Sequence, residues 1–312
     1  MRRAAFLILT FLAFAAHGES LLLPADAAAR PRVDRLLLLD AAQAGSRIVA
    51  VGERGRILLS DDQGRSWRYA ASPTEATLTA VYLVGDRLGW AVGHDATILR
   101  SEDGGNTWEQ VHVAADENAP LLDVWFADAG HGLAVGAYGL ALATKDGGRT
   151  WNRLRLDAGD RHLNAVAGGS DGRIFVVGES GTLLRSDDRG QTWTRLAAPY
   201  QGSFFGALVL PDGNPLIFGL RGKVFLGSPA GTWQAVASGT SASLQGGHVT
   251  ARGDVLLAGN DGVVLAGQGD GRAFSVLRSA EGAPIAAVLP GPGAELLLFG
   301  EGGVSRLSRS AP

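Results

Sequence analysis

Val135-Gly136-Ala137-Tyr138-Gly139-Leu140-Ala141-Leu142-Ala143-Thr144-Lys145-Asp146-Gly147-Gly148-Arg149-Thr150-Trp151 decides the fold. Its second half, Thr-x-Asp-x-Gly-x-Thr-Trp, reads as strand, tight turn, strand. An aspartate bonds backbone N–H groups two residues on and so closes its own turn. Gly148 suits a positive φ that a side chain resists. Thr150 and Trp151 are strand formers, and the indole offers a large face to bury. The first half, Val-Gly-x-x-Gly, reads as a strand end, a two-residue turn and a strand start.

The stretch recurs. Val51-Gly52 leads to Ser60-x-Asp62-x-Gly64-x-Ser66-Trp67, Val92-Gly93 to Ser101-x-Asp103-x-Gly105-x-Thr107-Trp108, and Val177-Gly178 to Ser186-x-Asp188-x-Gly190-x-Thr192-Trp193. Three eroded copies follow. Phe218-Gly219 leads to Gly231-Thr232-Trp233, Ala258-Gly259 to Asp270-Gly271-Arg272-Ala273-Phe274, and Phe299-Gly300 runs out at Pro312. Successive starts are 41, 43, 42, 41, 40 and 41 residues apart. Seven copies at one period define a repeat architecture, and they fill almost the whole 312-residue chain. One repeat domain is therefore expected in place of two globular ones.

Each repeat carries four strand signals. In the second they are Leu78–Val84, Leu88–Gly93, 96–101 and 107–112; in the third 121–127, 131–136, 139–144 and 150–155; in the fourth 162–168, 172–178, 181–186 and 192–197. No stretch beyond residue 30 keeps a 3.6-residue apolar period, so the chain reads as all-β. Four antiparallel strands per unit, arranged radially, make a propeller blade, and seven units predict a seven-bladed β-propeller over residues 36–312. Forty-five glycines, about twice the ordinary share, fit so many tight turns. The Gly-His and Trp-Asp marks of WD40 repeats do not occur at repeat spacing. The seventh copy offers only three strands, 284–290, 294–300 and 303–308. The expected closure pairs residues 19–23, the strand-like part of a 19–35 N-terminal segment, with 303–308.

Arg2-Arg3 followed by the uncharged apolar run Ala4–Ala16 is a secretory signal pattern, too short to span a ~30 Å hydrocarbon core comfortably. Residues 1–18 are read as the signal, with cleavage after Gly18 or as late as Ala27; an uncleaved anchor is the alternative. The chain contains no cysteine, which excludes disulfides and thiolate metal sites. A net charge of −3 without a basic block disfavours nucleic acid.

The boxes Ser60–Trp67, Ser101–Trp108, Thr144–Trp151 and Ser186–Trp193, with the upstream Val-Gly-x-x-Gly and phrases such as Gly89-Trp90-Ala91-Val92-Gly93, resemble the Asp-box (BNR) repeats of the photosystem II stability/assembly factor family. The resemblance covers about residues 33–310. It implies an exported seven-bladed propeller, periplasmic, or lumenal in a photosynthetic host. It also implies a non-catalytic role in assembling a membrane complex: a photosystem reaction centre or, as for some relatives, a resistance-nodulation-division-type exporter.

A catalytic reading of Asp62, Asp103, Asp146 and Asp188 is weaker than a structural one, because the residues recur blade after blade whereas an active site assembles once. Gly64, Gly105, Gly148 and Gly190 belong to the same turns, and Trp67, Trp108, Trp151, Trp193 and Trp233 read as packing between blades, with sugar stacking as the alternative. A sialidase-like glycosidase would need a Tyr nucleophile and an Arg triad; its Arg-Ile-Pro signature is missing, and a shared fold transfers no activity. The six histidines lack metal-ligand spacing, and the Gly-rich runs join strand to strand. No catalytic residue, metal or cofactor is expected.

The Val-Gly-x-x-Gly turns vary from blade to blade where the boxes do not. Glu53, Arg54, His94, Asp95, Tyr138, Glu179, Arg221, Asp261 and Glu301 form the expected partner-binding rim, shared with the connectors 114–120 and 198–203. The partner expected there is the extracytoplasmic part of a membrane protein complex, met by a monomer that is membrane-peripheral at most. A carbohydrate-binding or -hydrolysing Asp-box protein is the alternative.

Overall fold

The structure, a computed structural model, describes residues 32–114 and 119–308. The signal segment, the closing strand 19–23 and part of the 114–120 connector lie outside the described residues. Among the described residues the chain forms six four-stranded sheets and one of three strands, each a meander in sequence order. Blade one is Leu38–Ala44, Arg47–Gly52, Ile57–Ser60 and Arg68–Tyr69; blade seven is Ile285–Pro290, Glu295–Gly300 and Gly303–Ser308. Inner strands of neighbouring blades touch all the way round, including the first with the last, so the seven blades close into a ring. No helix among the described residues is long and apolar enough to cross a membrane.

The core is not one mass but seven layers, one between each pair of neighbouring blades. Second strands such as Ile48–Val51 and Ile174–Val177 are therefore apolar on both faces, like the strands of a covered parallel sheet. The closing layer has the same character as the others: Leu38, Ile48, Ala50 and Leu58 of blade one pack on Ala287, Leu289, Leu297 and Phe299 of blade seven. Each leucine, isoleucine or phenylalanine among them contributes about 1.5–3 kcal/mol on full burial. At the turn between the second and third strands of blade seven, the position where a Gly303 Cβ would sit is filled by the Val33 backbone, just as Thr74 fills it at Gly55 and Thr240 at Gly222. The described chain thus enters at the corner where every other blade receives its outer-to-inner connector.

The outer strands are shorter than the sequence pattern predicts: Asn152–Arg153 in place of 150–155, and Thr194–Arg195 in place of 192–197. The box takes up the missing residues. The Val-Gly-x-x-Gly turns also sit one residue later than read. The positive-φ pair is Arg54 (52°) and Gly55 (65°), with Arg56 N–H returning to the Glu53 carbonyl, the pattern of a type I′ hairpin turn.

Candidate functional site

On one face of the ring lie the boxes. Asp146 accepts bonds from the Thr144 hydroxyl (2.8 Å), the Thr150 N–H (2.9 Å) and the Thr150 hydroxyl (2.6 Å). The reach is four residues forward, not the two of a simple Asx turn; Gly148 N–H instead donates to Thr144 Oγ1 at 2.9 Å. Asp62, Asp103 and Asp188 make the same three contacts with their own turns. In Asp146 and Asp188 the hydroxyl bond from Thr150 or Thr192, then the N–H bond, pulls the carboxyl down to about 2. No two of these carboxylates share a partner: each is occupied within a separate blade.

The box glycines face the preceding blade. A Cβ on Gly148 would strike the Trp90 indole of blade two, one on Gly105 would press on Val49 of blade one, and one on Gly64 would strike Leu297 of blade seven. Gly190 meets nothing nearer than 3.6 Å. An arginine of the preceding blade often caps the turn: Arg100 Nε donates to the Gly147 carbonyl (2.6 Å) and Arg306 Nη2 to that of Gly64 (2.6 Å). Trp67 meets Phe299 of blade seven edge-on at 5.9 Å, and Trp108 sits in the layer between blades one and two. Trp151 and Trp193 lie in the next two layers, and Trp233 in the one after.

The opposite face carries the hairpin turns, and they are organised in two circles. The first turn position holds Glu53, His94, Ala137, Glu179, Leu220, Asn260 and Glu301; the second holds Arg54, Asp95, Tyr138, Ser180, Arg221, Asp261 and Gly302. Glu53 and Glu179 turn inward and accept the N–H of Leu37 (3.3 Å) and His162 (3.0 Å) at the head of the inner strands. Arg54, Asp95, Tyr138, Arg221 and Asp261 stand exposed further out, and Tyr138 meets the His162 ring edge-on at 5.0 Å.

Within these circles lies a feature absent from the sequence reading. Every inner strand has a bulge directly after its first residue, where one residue drops out of the ladder to the second strand. The residues passed over are Leu39, Thr79, Leu122, Asn164, Phe205, Gln245 and Ala286, and all seven line one axial pocket of about 380 Å³. Asn260 and Glu301 of the first turn circle complete its lip. The glycine of each Val-Gly-type pair is what permits the bulge: a Cβ on Gly52 or Gly93 would strike the carbonyl of Leu37 or Thr77. The legible signal was a large apolar residue opening each first strand, then one variable residue at constant phase with the boxes.

A polar belt surrounds the pocket. Thr79 Oγ1 donates to the Leu121 carbonyl (2.7 Å) and Asn164 Nδ2 to that of Phe204 (2.8 Å), each reaching into the next blade. Asp40 accepts Val81 N–H and Asp123 accepts Val166 N–H, both at 2.8 Å and again across a blade boundary. These two carboxylates are half-buried on inner strands that pack against the neighbouring blade. That burial lifts Asp40 to about 6 against the pull of its N–H bonds. Burial likewise lifts Asp123 to about 7, with the charge of Asp40 adding to the rise. Among the described residues no group of histidines and acids has the arrangement of a metal site.

Comparison with known proteins places this geometry in context. A family model described as Photosynthesis system II assembly factor YCF48 matches residues 59–120 and 104–286. The photosystem II assembly lipoprotein Ycf48 of Trichormus variabilis is 34% identical over 58 residues, which is 18% of this chain and 17% of that protein. The matched stretch thus spans under a fifth of the curated relative's length. Among solved structures, YCF48 bound to D1 peptide superposes with a TM-score of 0.70 at 18% identity, covering 91% of this chain and 96% of the other. Virginiamycin B lyase from Staphylococcus aureus superposes at 0.76 with 12% identity, over 88% of this chain and 96% of the lyase; both structural likenesses show the fold alone.

Proposed function

We infer the function from one premise: the chain belongs to the photosynthesis system II assembly factor YCF48 family. On that premise it is a non-catalytic, extracytoplasmic assembly or stability factor, a monomer that docks an exposed segment of a membrane protein complex on its hairpin-turn face. Export to the periplasm, or to the lumen in a photosynthetic host, fits the lipoprotein name of its relatives. The peptide bound in a solved protein of the same fold supports a peptide segment as the ligand. The non-catalytic part of the reading rests on the box carboxylates, whose oxygens are engaged in their own turns.

One observation carries the reading. Two independent sets of blade-varying residues, the hairpin turns and the bulged residues, open on the same face around one pocket, while the repeated boxes occupy the other. A constant scaffold with one variable face is what recognition of a particular partner requires. The test is affinity capture from solubilised membranes with mass spectrometry. Reversing charge at Glu53, Asp95 and Glu179 together is expected to weaken recovery of the partner; unchanged recovery removes the docking assignment. The identity of the captured subunit separates a photosystem reaction centre from an exporter.

A further inference from the structure

We propose that the axial pocket receives one basic side chain, a lysine or arginine, of the docked segment, its apolar stem against the pocket wall and its cationic head among acceptor oxygens. The proposal rests on the docking reading above and names the chemistry of its anchor.

The volume, about 380 Å³, holds on the order of ten waters, enough for one long side chain but not for a folded element. Leu37, Leu39, Leu122, Phe205, Pro284 and Ala286 provide the apolar wall. Three of the polar liners commit a donor inside the protein. Thr79 gives its hydroxyl proton to the Leu121 carbonyl, Asn164 an amide N–H to the Phe204 carbonyl, and Gln245 an amide N–H to Asn260 Oδ1 at 3.3 Å. Each of the three also carries an acceptor oxygen, Thr79 Oγ1, Asn164 Oδ1 and Gln245 Oε1, to which a head group that only donates can bond. Charge agrees. Glu301 is the one ionisable liner, and no lysine or arginine lines the pocket. The inward-turning Glu53 and Glu179 add negative charge above it, whereas Arg54 and Arg221 stand in the outer circle. Asp40 and Asp123 are the next residues after the liners Leu39 and Leu122 along the inner strands, and no lysine or arginine follows a liner in any of the seven blades. Long basic side chains suit such a site, laying methylenes on apolar surface while the head stays among polar groups. A single anchored side chain in a pocket is also how interfaces concentrate their affinity.

The test uses the full mature protein and two neutral-backbone probes, N-acetyl-lysine N-methylamide and its norleucine counterpart, followed by saturation-transfer NMR and titration calorimetry. The lysine probe is expected to bind and the norleucine probe to bind at least about fivefold more weakly. Glu301→Gln should reduce lysine-probe affinity roughly threefold and leave norleucine unchanged. Leu39→Lys, which brings a resident cation into the pocket, should abolish lysine-probe binding; an unchanged melting temperature identifies the variant as folded, and Ala286→Phe provides a second, uncharged block. Equal binding of both probes overturns the charge assignment. Binding of neither overturns the pocket assignment, and so does a lysine signal that survives both blocking variants. Tighter binding of 1,5-diaminopentane than of the lysine probe overturns the assignment to a peptide side chain. Loss of capture in the charge-reversed rim with intact probe binding leaves the pocket standing. Intact capture without probe binding refutes the pocket alone.

Discussion

Blades one to four carry complete boxes; blades five to seven do not, yet the ring is continuous through both halves. In blade one, Asp62 ties Ser60 and Ser66 into a hub of three short bonds. In blade five the hub shrinks to Ser228 and Thr232, whose hydroxyls meet at 2.7 Å while Thr232 N–H donates to Ser228 Oγ at 3.2 Å, and in blade six Asp270 accepts Arg272 N–H at 3.1 Å. The outer strands compensate. In blades one to four they begin one residue after the box tryptophan, at Arg68, Glu109, Asn152 and Thr194, but in blade five at Trp233 itself and in blade six at Phe274, running to Val236 and Arg278. A shorter turn lets the outer strand begin earlier, so backbone ladder bonds replace the side-chain hub. What survives erosion is the contact with the preceding blade: Gly271 still lies against Leu210 and Leu216 of blade five, as Gly64 lies against Leu297. The difference teaches that interblade packing makes the fold, while the box makes one of two workable turns.

If packing dominates, the largest loss should follow from Trp90. It is completely buried, stacks on Phe126 of the next blade, and donates to the Gly147 carbonyl at 3.1 Å. Trp90→Ala should lower unfolding free energy by about 3–5 kcal/mol in chemical denaturation. A loss below that of a single box aspartate breaks the comparison.

The boxes come next. Asp62→Ala should lower Tm by roughly 2–5 °C, whereas Asp270→Ala should move it by about 1 °C or less. The pH dependence sharpens this. Burial works against the bonds from Ser66 and Ser60, but the bonds win and hold the Asp62 carboxyl at about 2, below its ordinary value near 3.8. A depressed folded pKa means stability that is present above about pH 4 and lost as pH falls toward 2. Asp62→Ala should flatten that acid limb in Tm against pH.

The smallest effect concerns the indole N–H. Trp151 Nε1 donates to the Gly148 carbonyl at 3.2 Å, while the buried Trp233 Nε1 of the eroded fifth box has no partner among the described residues. Trp151→Phe should cost about 1 kcal/mol and Trp233→Phe under about 0.5 kcal/mol, read from paired denaturation curves.

The period, the four strands per unit, the box turns and the three-strand seventh blade were legible in the sequence, because each rests on local rules: turn chemistry within eight residues and strand propensity within six. The hairpin turns were legible too, to within one residue, as the place where repeats disagree. The axial pocket was not. Leu39, Thr79, Leu122, Asn164, Phe205, Gln245 and Ala286 lie about 40 residues apart and look like ordinary strand residues until the bulges turn them to one axis. Asp40 and Asp123 likewise carry no local signal of burial, and only the N–H groups of the neighbouring blade show what holds them there. Sequence by itself thus determined the repeating unit, since its interactions close within one turn or one hairpin. Ring closure decided which residues meet at the centre, because that meeting depends on seven units arriving at a common axis, a distance no local pattern encodes.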